Sequence, residues 1–275
     1  MMLEKNGKPA NKTNINTWYP GHIQKAKKQI KDNIKKIDVV LIVLDARAPA
    51  TTTSFEIKLF KDKNKLFILN KSDLADENYN QYWVQEISKR FPVLLANKDI
   101  SRRDLLNFIK KNSDKENPHI AVVGVPNVGK STIINKILGK HKTKTGAQPG
   151  ITKGVQWVNI DNLTVLDSPG ILYSEIFSKE IAAKMLLIGS IPLENVSDDI
   201  YDEAFQIFKT TSDKNLNFYE FIEEIGKRRG LLKKGGTVDF EKAKFFFFKE
   251  LSEGKLGRYT YDRELSKFWE VLKNG

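Results

Sequence analysis

Along the chain, short apolar runs alternate with longer stretches in which apolar residues recur every three or four positions. Residues 38–44, 66–69, 93–96, 120–123, 156–160 and 163–166 have the length and the β-branched or aliphatic character of buried strands. Residues 55–60, 79–90, 103–111 and 131–138, lying between such runs, carry helical spacing. Strands alternating with helices predict an α/β fold, a mostly parallel sheet with helices on both faces. After Tyr173 the strand-like runs stop, and residues 181–187, 200–208, 218–227 and 240–251 read as helices. At the start, the spacing of Ile23, Ala26, Ile30, Ile34 and Ile37 gives a helix with one apolar stripe. The pattern therefore divides the chain into an N-terminal arm over 1–36, an α/β domain over 37–174 and a C-terminal all-α domain over 175–275.

Composition sharpens the partner class. The 275 residues, enough for one sizeable domain and a smaller one, carry 46 Lys and Arg against 34 Asp and Glu, a formal charge of +12. That excess suits a polyanion, either nucleic acid or an anionic membrane, though a Lys-rich solvated surface gives the same number. The arm is itself basic: nine Lys between Lys5 and Lys36 face only Glu4 and Asp32. Cysteine is absent, which excludes disulfides, a thiolate nucleophile and Cys-based metal sites. The aliphatic run at residues 39–44 is far short of the roughly 20 residues of a membrane span. Residues 1–17 lack a signal peptide's apolar core, so a soluble, cytoplasmic protein without membrane partners is expected.

Three short motifs carry chemistry. Gly124-Val125-Pro126-Asn127-Val128-Gly129-Lys130-Ser131 follows a strand and opens a helix, the context a phosphate-binding P-loop needs. Successive backbone N–H groups there curl around a β-phosphate at a helix N-terminus. Lys130 would reach the β- and γ-phosphates and Ser131 would ligate Mg²⁺, with Asn127, Val128, Gly129 and Thr132 completing the cradle. Asp167-Ser168-Pro169-Gly170 ends a strand, so Asp167 can hold Mg²⁺ and the Gly170 N–H can meet the γ-phosphate; alone it is a good turn. Thr152, between them, sits where a switch threonine would close on Mg²⁺. Asn70-Lys71-Ser72-Asp73 also follows a strand. Guanine presents donors at N1 and at its 2-amino group, so the Asp73 carboxylate selects it over adenine, whose N1 is an acceptor. The Lys71 stem would lie along the base, and Asn70 would brace the loops.

Together these elements resemble the G1 to G4 motifs of TRAFAC-class P-loop GTPases, in circularly permuted order, with G4 at 70–73 ahead of G1 at 124–131 and G3 at 167–170. The permutation, with Trp18-Tyr19-Pro20-Gly21-His22, Asp45-Ala46-Arg47, Gln148-Pro149-Gly150-Ile151-Thr152 and the C-terminal Gly226-Lys227-Arg228-Arg229-Gly230, Gly235-Gly236 and Gly257-Arg258, resembles the ribosome biogenesis GTPase A family. The resemblance implies a circularly permuted GTPase domain, GTP and GDP as ligands, and the large ribosomal subunit and its rRNA as partner of a monomer whose helical tail binds RNA. It places the G5 loop at Leu95-Ala96-Asn97, with Ala96 offering its backbone N–H to guanine O6. Ser168 stands where Thr is commoner, and residues 48–53 lack the family's usual Ser-Arg-Asn, which leaves Arg47 without an assigned role.

Hydrolysis needs a group to orient water, and Ile171-Leu172 after Gly170 cannot do so. The resemblance implies His22, moving to the γ-phosphate at the ribosome, against the plainer role of packing the arm. It also implies K⁺ bound through Asn127. In the tail, Lys227, Arg228, Arg229, Lys233, Lys234, Lys255 and Arg258 suit phosphate contacts, although the first three equally suit a helix C-terminus. Phe245-Phe246-Phe247-Phe248 reads mainly as core, with base stacking as the alternative. The competing function is a nucleotide-gated adaptor for a protein or an anionic membrane surface.

Overall fold

Continuous burial explains why the first apolar run has no alternation. In the structure, a computed structural model, every residue of β1 (Val39–Asp45) is buried, because this strand lies inside the sheet with neighbours on both edges. The structure describes residues 28, 31–53, 55–139, 156–160, 163–167, 178–194, 196–215, 217–265 and 268–269. With β2 (Asn64–Asn70), β3 (Val93–Leu95), β4 (His119–Val123), β5 (Gln156–Ile160) and β6 (Leu163–Asp167), the sheet runs β3-β2-β1-β4-β6-β5. Every neighbouring pair is parallel except β5 with β6. The mostly parallel α/β sheet expected from the pattern is what forms.

Register sets where chemistry can sit. Asp45 lies opposite Asn70, and Leu166 lies opposite Ala121. The carboxyl ends of β1, β2, β4 and β6 therefore share one edge, where ligands of open α/β sheets bind. The helices start where caps dictate. α1 (Glu77–Ser88) begins two residues earlier than its apolar spacing suggests, because the Asp76 side chain accepts from Asn78 N. α2 (Arg102–Lys111) is capped by Ser101, and α3 (Lys130–Leu138) starts directly from the P-loop. Residues 55–60, expected to be helical, form a 3-10 helix. Of the arm, residues 31–33 are helical and Ile34–Lys36 form a 3-10 turn; its other residues, apart from Lys28, lie outside those described.

Four helices follow: α4 (Lys179–Leu187), α5 (Asp198–Ser212), α6 (Phe218–Arg228) and α7 (Phe240–Ser252). Phe205, Phe208, Phe221 and Phe247 interlock at centroid distances of 5.3–6.5 Å, which fixes α5, α6 and α7 against one another. The four-Phe run splits: Phe247 and Phe248 are core, Phe246 is half-buried, and Phe245 is exposed. Beyond α7 the chain also reaches the α/β half. Asp262 O accepts from Trp83 Nε1 at 3.0 Å, and the Phe268 ring meets Trp83 and Phe67. Residues 258–265 and 268–269 thus bridge back to the α/β half while still touching the helices through Tyr259, Asp262 and Arg263, so the expected boundary at 174/175 separates sequence segments rather than independent cores. Among the described residues no helix is long and apolar enough to cross a membrane.

Candidate functional site

The P-loop and the 70–73 loop meet at one bond. Asn70, at the end of β2 and 5% exposed, donates from Nδ2 to Val128 O at 2.7 Å. Gly129 makes the approach feasible: its φ is +98°, and a Cβ there would stand 2.1 Å from Asn70 Nδ2. Gly129→Ala is therefore expected to displace this brace and weaken GDP binding roughly tenfold, read by titration with a fluorescent GDP. Unchanged affinity would mean that the brace does not shape the loop. Lys130, first residue of α3 and 8% exposed, folds back to donate to Val125 O at 2.6 Å. Burial first, and then the nearby Lys71 charge, push its ammonium down to about 8. A phosphate arriving here would relieve both penalties, so the site is electrostatically prepared for an anion.

The loop expected to read the base is a 3-10 turn, Ser72–Leu74, entered through Lys71 at φ +59°. Asp73 sits half-buried on it. Ala96 is placed beside it, but its N–H donates to Leu69 O at 2.8 Å and its carbonyl accepts from Ser72 N at 3.0 Å. The expected Ala96 contact to guanine O6 is thus corrected. That N–H is committed to the sheet extension, and the next donor along the chain is the backbone N–H of Asn97.

Asp45 explains the Asp45-Ala46-Arg47 motif. Its Oδ1 accepts from Arg47 N and Nε at 3.1 and 2.9 Å, and Oδ2 accepts from Arg47 Nη2 at 2.8 Å and pairs with Lys71 Nζ at 3.0 Å. Arg47, 2% exposed, goes on to donate to Ser252 O at 2.7 Å and Ile188 O at 2.8 Å, at the C-terminal ends of α7 and α4. Burial alone would raise the Asp45 carboxyl, but the Arg47 and Lys71 charges overcome it and hold it at about 2 against an ordinary 3.8. A depressed carboxyl contributes stability that is present above pH 4 and lost as pH falls toward 2. For this shift the share is on the order of 2 kcal/mol. Urea unfolding at pH 6 and pH 2.5 is expected to show Asp45→Asn losing less stability on acidification than the parent, by roughly two-thirds of that share, because the carboxyl is still mostly ionised in the folded state at pH 2.5. Equal losses would contradict the assignment.

Asn127, the expected K⁺ ligand, has φ +60° and donates from Nδ2 to Gly189 O at 2.8 Å. The amide is anchored on the helical region by its nitrogen, and its oxygen is the atom a cation would use. Ser131 and Thr132 are exposed at the start of α3. Asp167 ends β6 at the same sheet edge, and its side chain is not among those described. A hydroxyl from Ser131 and a carboxylate from Asp167 are donors of the kind Mg²⁺ takes alongside waters and substrate phosphates. His22, Thr152 and Gly170 lie outside the described residues.

The expected RNA face is partly redrawn. Lys233 and Lys234 are exposed beside Gly235 and Gly236, and the Arg229 guanidinium lies 5.0 Å over the Phe246 ring. Lys227 and Arg228 pair with Glu223 and Glu224 on α6, and Lys255 with Glu253. Arg258 is not a phosphate contact waiting for a partner: it donates to Ala75 O at 2.8 Å and Ser72 O at 3.2 Å. Nothing in its local sequence distinguishes it from its basic neighbours.

Residues 119–218 match the family model described as a 50S ribosome-binding GTPase. The chain is 46% identical over 250 residues to the ribosome biogenesis GTPase A of Thermotoga maritima, covering 90% of this chain and 94% of that protein. It is 32% identical over 264 residues to the probable ribosome biogenesis GTPase A of Mycoplasma genitalium, covering 89% and 96%. The crystal structure of GNP-bound YlqF from T. maritima superposes with a TM-score of 0.75 at 41% identity, covering 87% of this chain and 98% of that one.

Proposed function

The chain belongs to the ribosome biogenesis GTPase A family, and from that premise we propose that it acts on the large ribosomal subunit, with GTP hydrolysis accelerated by the ribosomal particle. It is a GTPase that serves ribosome assembly. The observation that supports the nucleotide part is the join of the two loops, Asn70 Nδ2 to Val128 O at 2.7 Å, which holds residues 70–73 against the P-loop segment. Support for the RNA part is the +12 charge and the exposed Lys233 and Lys234 on the helical region.

In this reading Lys130 leaves Val125 O and neutralises the β- and γ-phosphates, while the backbone N–H groups of residues 127–132 hold the polyphosphate. Ser131, Thr152 and Asp167 hold Mg²⁺, which when bound neutralises charge on the phosphate oxygens. Asp73 and Lys71 take the base. Gly170 meets the γ-phosphate, and His22 orients the attacking water. Asn127 Oδ1 contributes to a K⁺ site at the phosphates. Because Ile171 and Leu172, the two residues after Gly170, cannot orient water, turnover stays slow until the particle brings His22 into place.

The test is GTP hydrolysis by the full chain, alone and with purified large ribosomal subunits, in KCl and in NaCl, with His22→Ala beside it. Acceleration by subunits that His22→Ala abolishes, with GTP binding intact, is the expected result. Greater turnover in KCl than in NaCl is expected as well. If subunits change nothing in either salt, the ribosomal reading fails and the adaptor reading takes its place.

A further inference from the structure

The turn that carries Asp73 is held from outside, by a part of the chain almost at its other end. Ser72 O accepts from Arg258 Nη2 at 3.2 Å and from Asn80 Nδ2 at 3.0 Å. Leu74 O accepts from Tyr259 N at 3.2 Å, and Ala75 O accepts from Arg258 Nε at 2.8 Å. Asp76 N then donates to Thr260 Oγ1 at 3.2 Å. Within the turn itself only Leu74 N to Lys71 O, at 2.9 Å, and Ala75 N to Ser72 O, at 3.3 Å, close the backbone. A single 3-10 turn has few internal bonds and poor geometry, so its side-chain direction depends on whatever else pins its carbonyls. Here that is the segment 258–260, with Asn80 sharing the carbonyl of Ser72. Arg258 suits the task because its planar fork presents Nε and Nη2 together, and Glu77 Oε2 at 3.0 Å steadies the same guanidinium.

We propose that Arg258 is a positioning residue for guanine recognition: by fixing the carbonyls of Ser72 and Ala75 it aims the Asp73 carboxylate at the base. The proposal rests on Asp73 being the group that reads guanine. It goes further, because it makes base selection a property shared by the α/β domain and the C-terminal tail. The contact lies on the base side of the site, remote from the γ-phosphate, so it acts on GDP and GTP alike. Coupling is reciprocal: a partner that pulls the 258–260 segment from the turn lowers affinity for both nucleotides by one factor, and nucleotide binding tightens the tail by the same factor. The structure therefore gives the tail a route to nucleotide release that is independent of hydrolysis.

The experiment compares GDP with IDP, whose hypoxanthine base lacks the 2-amino group and offers Asp73 only N1–H. Both affinities are measured by competition against a fluorescent GDP, for the full chain and for Arg258→Met, Arg258→Lys and Asp73→Asn. Arg258→Met, which keeps the aliphatic stem, is expected to weaken GDP about tenfold and to shrink the GDP-over-IDP preference several-fold. The KM for GTP rises with it, while kcat at saturating GTP stays within about twofold. Arg258→Lys, with its charge but no fork, falls between the parent and Arg258→Met. A merely structural arginine would weaken GDP and IDP by the same factor, and that result, or parent-like GDP binding, overturns the proposal. Should Arg258→Met fail to fold, Thr260→Val loosens the same turn at Asp76 and is expected to shift the preference in the same direction; no shift overturns the proposal too. If Asp73→Asn also leaves the preference unchanged, the base reading falls with it, whereas an effect of Asp73→Asn alone removes only the role of Arg258.

Discussion

Arg47→Ala is expected to lower the unfolding free energy by about 3–5 kcal/mol, the range found when one partner of a buried ion pair is removed. The side chain is 2% exposed and spends all three guanidinium nitrogens: Nε and Nη2 on Asp45, Nη2 also on Ile188 O, and Nη1 on Ser252 O. Truncation leaves Asp45 buried with Lys71 as its remaining cation, and two helix-end carbonyls lose their donors. The lost charge also stood where the C-terminal ends of α4 and α7 converge, and helix C-termini favour a cation. Urea unfolding at neutral pH measures the effect, and a melting temperature lower by roughly 10 °C should accompany it. Arg47→Lys keeps the charge without the fork and is expected to recover only part. A loss below about 1 kcal/mol for Arg47→Ala would mean that water or a neighbouring side chain compensates, and the latch between the two halves would have to be abandoned.

Asp73→Asn is expected to weaken GDP by roughly 10²–10⁴-fold, because two charge-assisted hydrogen bonds to the base are lost and one new donor faces a donor. The same substitution should improve binding of xanthosine diphosphate, whose base carries a carbonyl where guanine carries the 2-amino group. Affinities for both nucleotides, taken at one salt concentration, decide it. Loss of GDP with no gain for the xanthine nucleotide would indicate a disrupted turn rather than a changed recognition code. Retention of GDP binding would remove Asp73 from the site. Because Lys71 shares Asp45 with Arg47, the same titrations on Arg47→Ala show whether the latch reaches the base.

The site was legible where each residue acts through its own stretch of backbone. Gly124 to Ser131 announces itself because a strand end, a Gly-rich turn and a helix start are consecutive in sequence, and the Lys130 and Ser131 roles follow from that local geometry. The 70–73 loop was legible for the same reason, and even the bracing role of Asn70 is met by its bond to Val128 O. That the Ala96 N–H is already used was not legible, since only strand pairing with β2 decides which N–H at the end of β3 is committed. Arg258 and Arg47 were opaque. Their partners lie 186 and 205 residues away, at Ser72 and Ser252, so Arg258 reads in sequence like one meant for phosphate and Arg47 reads as having no role.

What the sequence by itself determined is the α/β pattern, the permuted order of the nucleotide motifs and the chemistry each motif brings. All of these are properties of neighbours along the chain, set by side-chain periodicity and turn geometry. What only the tertiary structure decided is how the two halves are joined: Arg47 spanning Asp45 and two helix ends, Asn127 on Gly189 O, and the tail from Arg258 returning to the base-reading turn. The physical reason is that buried carbonyls and carboxylates must find donors wherever folding leaves them, and that requirement is met through space, by residues whose sequence neighbourhood carries no trace of it.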